Sequence, residues 1–205
     1  MIAIVDYGVG NLFSLKSSLA YIGQQATVTG DIAEIQRADR VILPGVGAFG
    51  DAIQRLQQRG LVQPLQQVAA AGTPLLGICL GMQLLFEDSH EFGVHKGLGL
   101  VPGSILPLQQ DLSRAGYSYK VPHIGWNALR ILQPQCPLFK YAGPNDSVYF
   151  VHSFYARAGS AAIATAEYGV QVTAAVQNKN VYGTQFHPEK SGDAGLAMLR
   201  AFAEV

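Results

Sequence analysis

Along the first eighty or so residues, short apolar runs alternate with longer stretches in which apolar residues recur every three or four positions. Ile2–Val5, Val41–Leu43 and Leu75–Leu76 are unbroken, as expected of strands covered on both faces, and Ala26–Thr29 reads as a further short strand. Between them, Asn11 is placed to cap a helix carrying Leu12, Leu15, Leu19 and Ile22, which Gly23 ends. Asp31 with Glu34 makes a capping-box-like start for a short helix. Asp51–Arg59 and Pro64–Ala71 read as two more helices, separated by Gly60, with Pro64 in a first turn and Gly72 as the stop. Strands alternating with helices predict an open parallel sheet with helices on both faces.

From Asp88 onward the texture changes, because glycine, proline and single polar residues interrupt the apolar runs. Ile105–Leu108, Ala128–Leu132 and Val148–Val151 look like strands of a more antiparallel second half. Ala161–Ala166 and Val172–Val176 flank Glu167-Tyr168-Gly169 as a hairpin, and Val181–Phe186 is the last strand. Ser191 then caps a closing helix with Leu196, Leu199 and Phe202 on one face. The expectation is an α/β fold with an open mixed sheet, mainly parallel in its first half and flanked by helices. With no repeat, low-complexity tract or linker, residues 1–205 read as a single domain.

Composition narrows the functional classes. The charges balance at 14 basic and 14 acidic residues, which offers nothing to nucleic acid or an anionic membrane. No apolar run approaches the ~18 residues of a membrane span, and the N-terminus lacks the pattern of a signal peptide. Two cysteines, Cys79 and Cys136, are too few for a disulfide framework and fit a reducing compartment, so a cytoplasmic location is expected.

One cysteine is set apart by its surroundings. Gly77-Ile78-Cys79-Leu80-Gly81 follows a buried strand and precedes Met82–Phe86, which reads as the first turns of a helix. The glycines on either side match a nucleophile elbow, where a strand turning straight into a helix leaves no room for side chains. The helix start would turn its free N–H groups toward the sulfur, a setting that favours thiolate, the reactive form of cysteine. Pro44-Gly45-Val46-Gly47-Ala48-Phe49-Gly50 also satisfies Gly-x-Gly-x-x-Gly. A dinucleotide site would require an acidic residue about 20 positions on, and Leu61–Ala71 contains none. The better reading is a loop of exposed backbone N–H groups at the carboxyl edge of the sheet.

A thiol nucleophile needs a base, and the base needs an orienting group. His90 and His95 lie in a polar glycine-rich stretch and lack further metal ligands, while His123 and His152 border aromatic and strand residues as core or pocket histidines. His187 follows the last strand, with Pro188 stiffening it and Glu189 placed to hold one ring nitrogen.

With these residues in view, Gly77–Gln83 together with His187-Pro188-Glu189 resembles the class I, triad-type glutamine amidotransferases, and Pro44–Gly47 resembles their oxyanion segment. The runs Asp6–Leu12, Gly97–Gly103, Pro122–Asn127 and Phe150–Tyr155 narrow the resemblance to the glutaminase subunits of imidazole glycerol phosphate synthases. Gly192-Asp193 departs from it, since glutamine is expected after Ser191.

The resemblance implies a Cys79–His187–Glu189 triad, an oxyanion hole from Gly45, Val46, Gly47 and Leu80, and glutamine bound by Gln83, Ser153 and Phe154. It implies no metal and no cofactor. It also implies a separate partner, the (β/α)8-barrel cyclase subunit, in a heterodimer of histidine biosynthesis. Ammonia would pass to that subunit to make imidazole glycerol phosphate and AICAR, a purine precursor. Asn11, Trp126 and Tyr155 are the candidates for the face toward it. Other amidotransferase subunits, a stand-alone cysteine hydrolase of γ-glutamyl substrates and a non-catalytic binding module are the competing readings.

Overall fold

The computed structural model describes residues 1–143 and 146–205. Its first half alternates as the pattern predicts: β1 (Ile2–Val5), α1 (Leu12–Tyr21), β2 (Ala26–Thr29), α2 (Ile32–Arg37), β3 (Arg40–Leu43), α3 (Phe49–Gln58), α4 (Val62–Ala70), β4 (Leu75–Ile78) and α5 (Leu80–Leu84). The second half is richer in strands: β5 (Phe86–Ser89), β6 (His95–Lys96), β7 (Val101–Pro107), α6 (Leu108–Arg114), β8 (His123–Ala128), β9 (Arg130–Ile131), β10 (Ser147–His152) and β11 (Phe154–Arg157). It closes with β12 (Ala162–Tyr168), β13 (Val170–Asn178), β14 (Val181–Thr184) and α7 (Gly192–Ala203).

The main sheet runs β2-β1-β3-β4-β14-β13-β12-β9. β2, β1, β3, β4 and β14 are mutually parallel, and β13, β12 and β9 continue antiparallel, so the sheet is mixed, as expected. Two small sheets, β10-β8 and β11-β7-β5-β6, pack beside it.

The strand pleat sends alternate side chains to opposite faces. Ala3, Val5 and Leu43 therefore join one buried cluster with α3 and α4 residues such as Leu56 and Leu65, while Ile2, Ile4 and Ile42 join another with Leu15 and Leu199. Asn11 and Asp31 both cap, accepting from the N–H groups of Ser14 (3.4 Å) and Glu34 (2.9 Å). Among the described residues, no helix is long and apolar enough to cross a membrane.

Several boundaries differ from the sequence reading for identifiable reasons. The helix after Cys79 stops at Leu84, because the fully buried Phe86 pairs with Val101 in a parallel ladder. Leu108 opens α6 instead of ending a strand, and Leu129 breaks the expected Ala128–Leu132 strand by donating its N–H to Asp146. Pro64 is the third residue of α4, and β14 ends at Thr184 rather than Phe186. Ser191 stands at the start of α7 without capping it. Its hydroxyl donates to the His187 carbonyl (2.6 Å) and accepts from the Tyr149 N–H (3.0 Å).

Candidate active site

Cys79 lies between β4 and α5 with φ 54° and ψ −112°, a backbone conformation that L-residues avoid. The surroundings hold it there. Its N–H donates to the Thr184 carbonyl at 2.7 Å, and its carbonyl accepts from the Gln83 N–H at 3.1 Å. A Cβ at Gly77 would come within 2.6 Å of the Gly81 carbonyl oxygen, and one at Gly81 would overlap the Leu43 carbonyl. The two glycines flanking the elbow are thus a steric requirement. Gly45 belongs to the same junction, since a Cβ there would stand 2.8 Å from both the Gly81 nitrogen and the Tyr7 hydroxyl. That hydroxyl donates to the Pro44 carbonyl (2.8 Å), and burial pushes the fully enclosed Tyr7 phenol above the normal range.

His187 follows the end of β14, the strand beside β4, so the sheet itself brings it to the elbow. Its N–H donates to the Tyr149 carbonyl at 3.0 Å, and its Nδ1 meets Glu189 Oε1 at 2.8 Å. The two side chains are only 3% and 4% exposed. Burial works to lower the pKa of His187, but the neighbouring Cys79 and the Glu189 carboxylate outweigh burial and raise it to about 9. That direction favours the protonated ring at neutral pH.

These groups open into a cavity of about 360 Å³. Of the residues expected at the site, it brings together Val46, Gly47, Cys79, Leu80, Gln83, Ser153, Phe154 and His187. Gly45 lies behind this wall, in a small adjoining cavity that Asn11, Val46 and Glu189 share. Gly47 has φ 96° and open space where a Cβ would stand, so the segment is fixed at Gly45 and free at Gly47.

Both amide hydrogens of Gln83 are committed, to the Phe154 carbonyl and to Gln185 Oε1, each at 3.0 Å. Gln83 can therefore offer a ligand only its Oε1, an acceptor.

The face candidates divide. Trp126 is 59% exposed and Asn11 half-buried. Tyr155 is a correction: it is 5% exposed, packs with Leu108, Leu112 and Val172, and donates its hydroxyl to Asp111 at 2.7 Å, so it presents no face to a partner. Among the described residues, no group of three or more His, Cys, Asp or Glu side chains is gathered as metal ligands.

Sequence reasoning missed Glu91, Lys190 and Gln185. Glu91 and Lys190 line the cavity, and Gln185 sets its Nε2 3.9 Å from Cys79 Sγ. Glu91 also accepts the Phe49 N–H at 2.6 Å, capping α3 where Ala48 cannot, and burial raises its carboxyl pKa. Gln185 was legible in principle, two residues before the histidine, whereas Glu91 sits in a loop with no pattern.

The family model for class I glutamine amidotransferases matches residues 3–204. The chain belongs to that family. It is 46% identical to the imidazole glycerol phosphate synthase subunit HisH of Syntrophotalea carbinolica, over 100% of both chains. It is also 49% identical to the subunit of the same name from Bacillus cereus, over 100% of this chain and 95% of that one. Within the amidotransferase class, its place is with these HisH subunits. Solved structures show the same fold at low identity. A crystal structure of a glutamine amidotransferase superposes with a TM-score of 0.76 at 17% identity, covering 100% of this chain and 98% of that one. PurLQS from Thermotoga maritima gives 0.74 at 18%, covering 99% and 97%.

Proposed function

We propose that this chain, acting as one domain, is the glutaminase half of an imidazole glycerol phosphate synthase and uses Cys79, His187 and Glu189 as its triad. The observation that carries this is the junction itself: a strained cysteine shares a cavity with a buried histidine whose far nitrogen is held by a carboxylate.

Cys79 Sγ attacks the side-chain amide carbon of glutamine. The carbonyl π electrons move to oxygen, and the N–H groups of Leu80 and of the Gly45–Val46 segment receive that oxyanion. Losing one such donor costs about 10²–10³ in rate. The tetrahedral intermediate collapses as His187 gives its proton to the nitrogen, so the C–N bond breaks, ammonia leaves and a cysteinyl thioester remains. A water, deprotonated by His187, then attacks the thioester and releases glutamate and the thiolate. Glu189 holds the ring throughout. Gln83 Oε1 and the Glu91 carboxylate are acceptors suited to the α-ammonium of glutamine, with the Ser153–Phe154 backbone beside them.

Ammonia is mostly ammonium at neutral pH, and ammonium is not a nucleophile, so the product passes shielded to a second active site on the (β/α)8-barrel cyclase subunit. Asn11 and Trp126 face that subunit. At rest the Gly45–Gly47 segment leaves the oxyanion hole incomplete, and partner and acceptor binding complete it by turning one peptide. The test is glutamine hydrolysis measured with and without the cyclase and its substrate. Strong stimulation is expected. Full turnover by the isolated chain would overturn the resting-state reading, and no turnover in the loaded complex would overturn the function.

A further inference from the structure

Two buried histidines take no part in this chemistry, and their hydrogen bonds run in a single direction. Asn127 Nδ2 donates to the Glu167 carbonyl (2.8 Å), which fixes the amide so that it also presents its N–H to His123 Nε2 (3.4 Å). With Nε2 accepting, His123 carries its hydrogen on Nδ1 and donates it to His152 Nε2, 3.0 Å away. His152 in turn carries its hydrogen on Nδ1 and donates to the Phe154 carbonyl at 2.9 Å. That carbonyl is the one that anchors Gln83.

His123 and His152 are cross-strand partners in the β8–β10 ribbon, and His123 stacks on Phe150 and Tyr168 with centroids 4.8 and 4.0 Å away. Both rings are enclosed. Moving the hydrogen on His123 to Nε2 would point it at the Asn127 donor, so the surroundings accept one tautomer only. Burial supports the neutral form, lowering His123 to about 4 and, together with the nearby His123 and His187 charges, His152 to about 3.

We propose that His123 and His152 are positioning residues for glutamine binding: a tautomer-locked imidazole pair that sets the Phe154 carbonyl and, through it, the Gln83 amide. The proposal rests on the reading of Gln83, Ser153 and Phe154 as the glutamine cradle. Because the pair's hydrogen bonds run to the cradle and none reaches the triad, its loss weakens binding of ground state and transition state alike. That raises KM and leaves kcat in place.

The experiment is steady-state glutaminase kinetics of the complex with the cyclase, combined with ¹⁵N-histidine NMR of the full chain. His152→Leu is expected to raise KM for glutamine about tenfold with kcat within about threefold, the scale of one buried hydrogen bond. His152→Asn, which keeps a donor near the Nδ1 position, recovers most of the loss. His123→Phe keeps the ring stack, raises KM in the same direction, and decides the matter if His152→Leu does not fold. In the NMR spectra both rings show the neutral Nδ1–H signature at pH 7.

An unchanged KM, a fall confined to kcat, or an Nε2–H or protonated ring overturns the proposal while leaving the glutaminase reading intact. A wild-type complex that consumes no glutamine overturns that reading and this proposal with it.

Discussion

Replacing Glu189 with Gln should change how stability depends on pH, and by an amount the site geometry sets. His187 has an ordinary value of 6.5 in an unfolded chain and about 9 in the fold, held up by Cys79 and Glu189 against burial. Between these values the native state binds a proton that the unfolded state lacks, so stability falls as pH rises. The stabilisation is fully present below about pH 6.5 and lost through pH 9. A rise from 6.5 to about 9 corresponds to about 3 kcal/mol at ~1.4 kcal/mol per tenfold change in proton affinity. Glu189→Gln removes the carboxylate 2.8 Å from Nδ1 and leaves burial, the largest influence, opposed by Cys79 alone. Urea unfolding at fixed ionic strength from pH 6 to 9.5 should therefore show a steep decline for the wild type and a flatter curve for the variant. Every group away from the site is common to both proteins, so the difference between the two curves reports on the His187–Glu189 pair. Parallel curves would refute the reasoning.

Three further perturbations probe other parts of the molecule. Gly81→Ala places a methyl group on the Leu43 carbonyl, forcing α5 away from β3; glutaminase activity should drop at least about 100-fold, and urea titration should show a loss of about 1–3 kcal/mol. Asp111→Ala strips Tyr155 and Arg157 of their shared acceptor and should cost about 1–3 kcal/mol of stability in the same titration, with affinity for the cyclase unchanged by calorimetry. Trp126→Asp puts a charge on the exposed face of β8 and should weaken the cyclase complex more than about tenfold, while alkylation of Cys79 by iodoacetamide proceeds at the wild-type rate.

The first half of the fold was legible because each element there satisfies one rule at a time. β1 is apolar throughout since both faces are covered, and α1 starts where Asn11 can cap it. The second half resisted where tertiary contacts overrule local pattern. Phe86 looks helical after Met82, yet it belongs to a strand because Val101 lies beside it; Ser191 looks like a cap, yet its hydroxyl is occupied by His187 and Tyr149. Tyr155 shows the same effect at the level of function. Its neighbours Ser153 and Phe154 line the cavity, but strand alternation turns the next side chain inward to Asp111. Motifs marked the residues that chemistry constrains, and missed Glu91, whose place depends on a loop returning to the start of α3.

The junction at Cys79 joins the proposed nucleophile and the proposed oxyanion segment in one unit. The elbow is held by Thr184 on β14, while Gly81 touches Leu43 at the end of β3, the residue before Pro44. Any movement of the Pro44–Gly47 segment must therefore pivot beyond Gly45, since Tyr7 grips the Pro44 carbonyl and the elbow packs against Gly45 itself. That leaves the peptides around Val46 and Gly47 as the mobile part, at the mouth of the cavity. The proposed base and the proposed cradle come from the other half of the chain, through β14 and the β10–β11 corner. A partner seated on Trp126 and Asn11 would touch both halves at once: β8, which carries His123 on its inner face, and the start of α1, which shares a small cavity with Val46 and Glu189. One docking event can thus bear on the proposed oxyanion segment and the proposed glutamine cradle without displacing Cys79, whose backbone is held by Thr184 and Gln83.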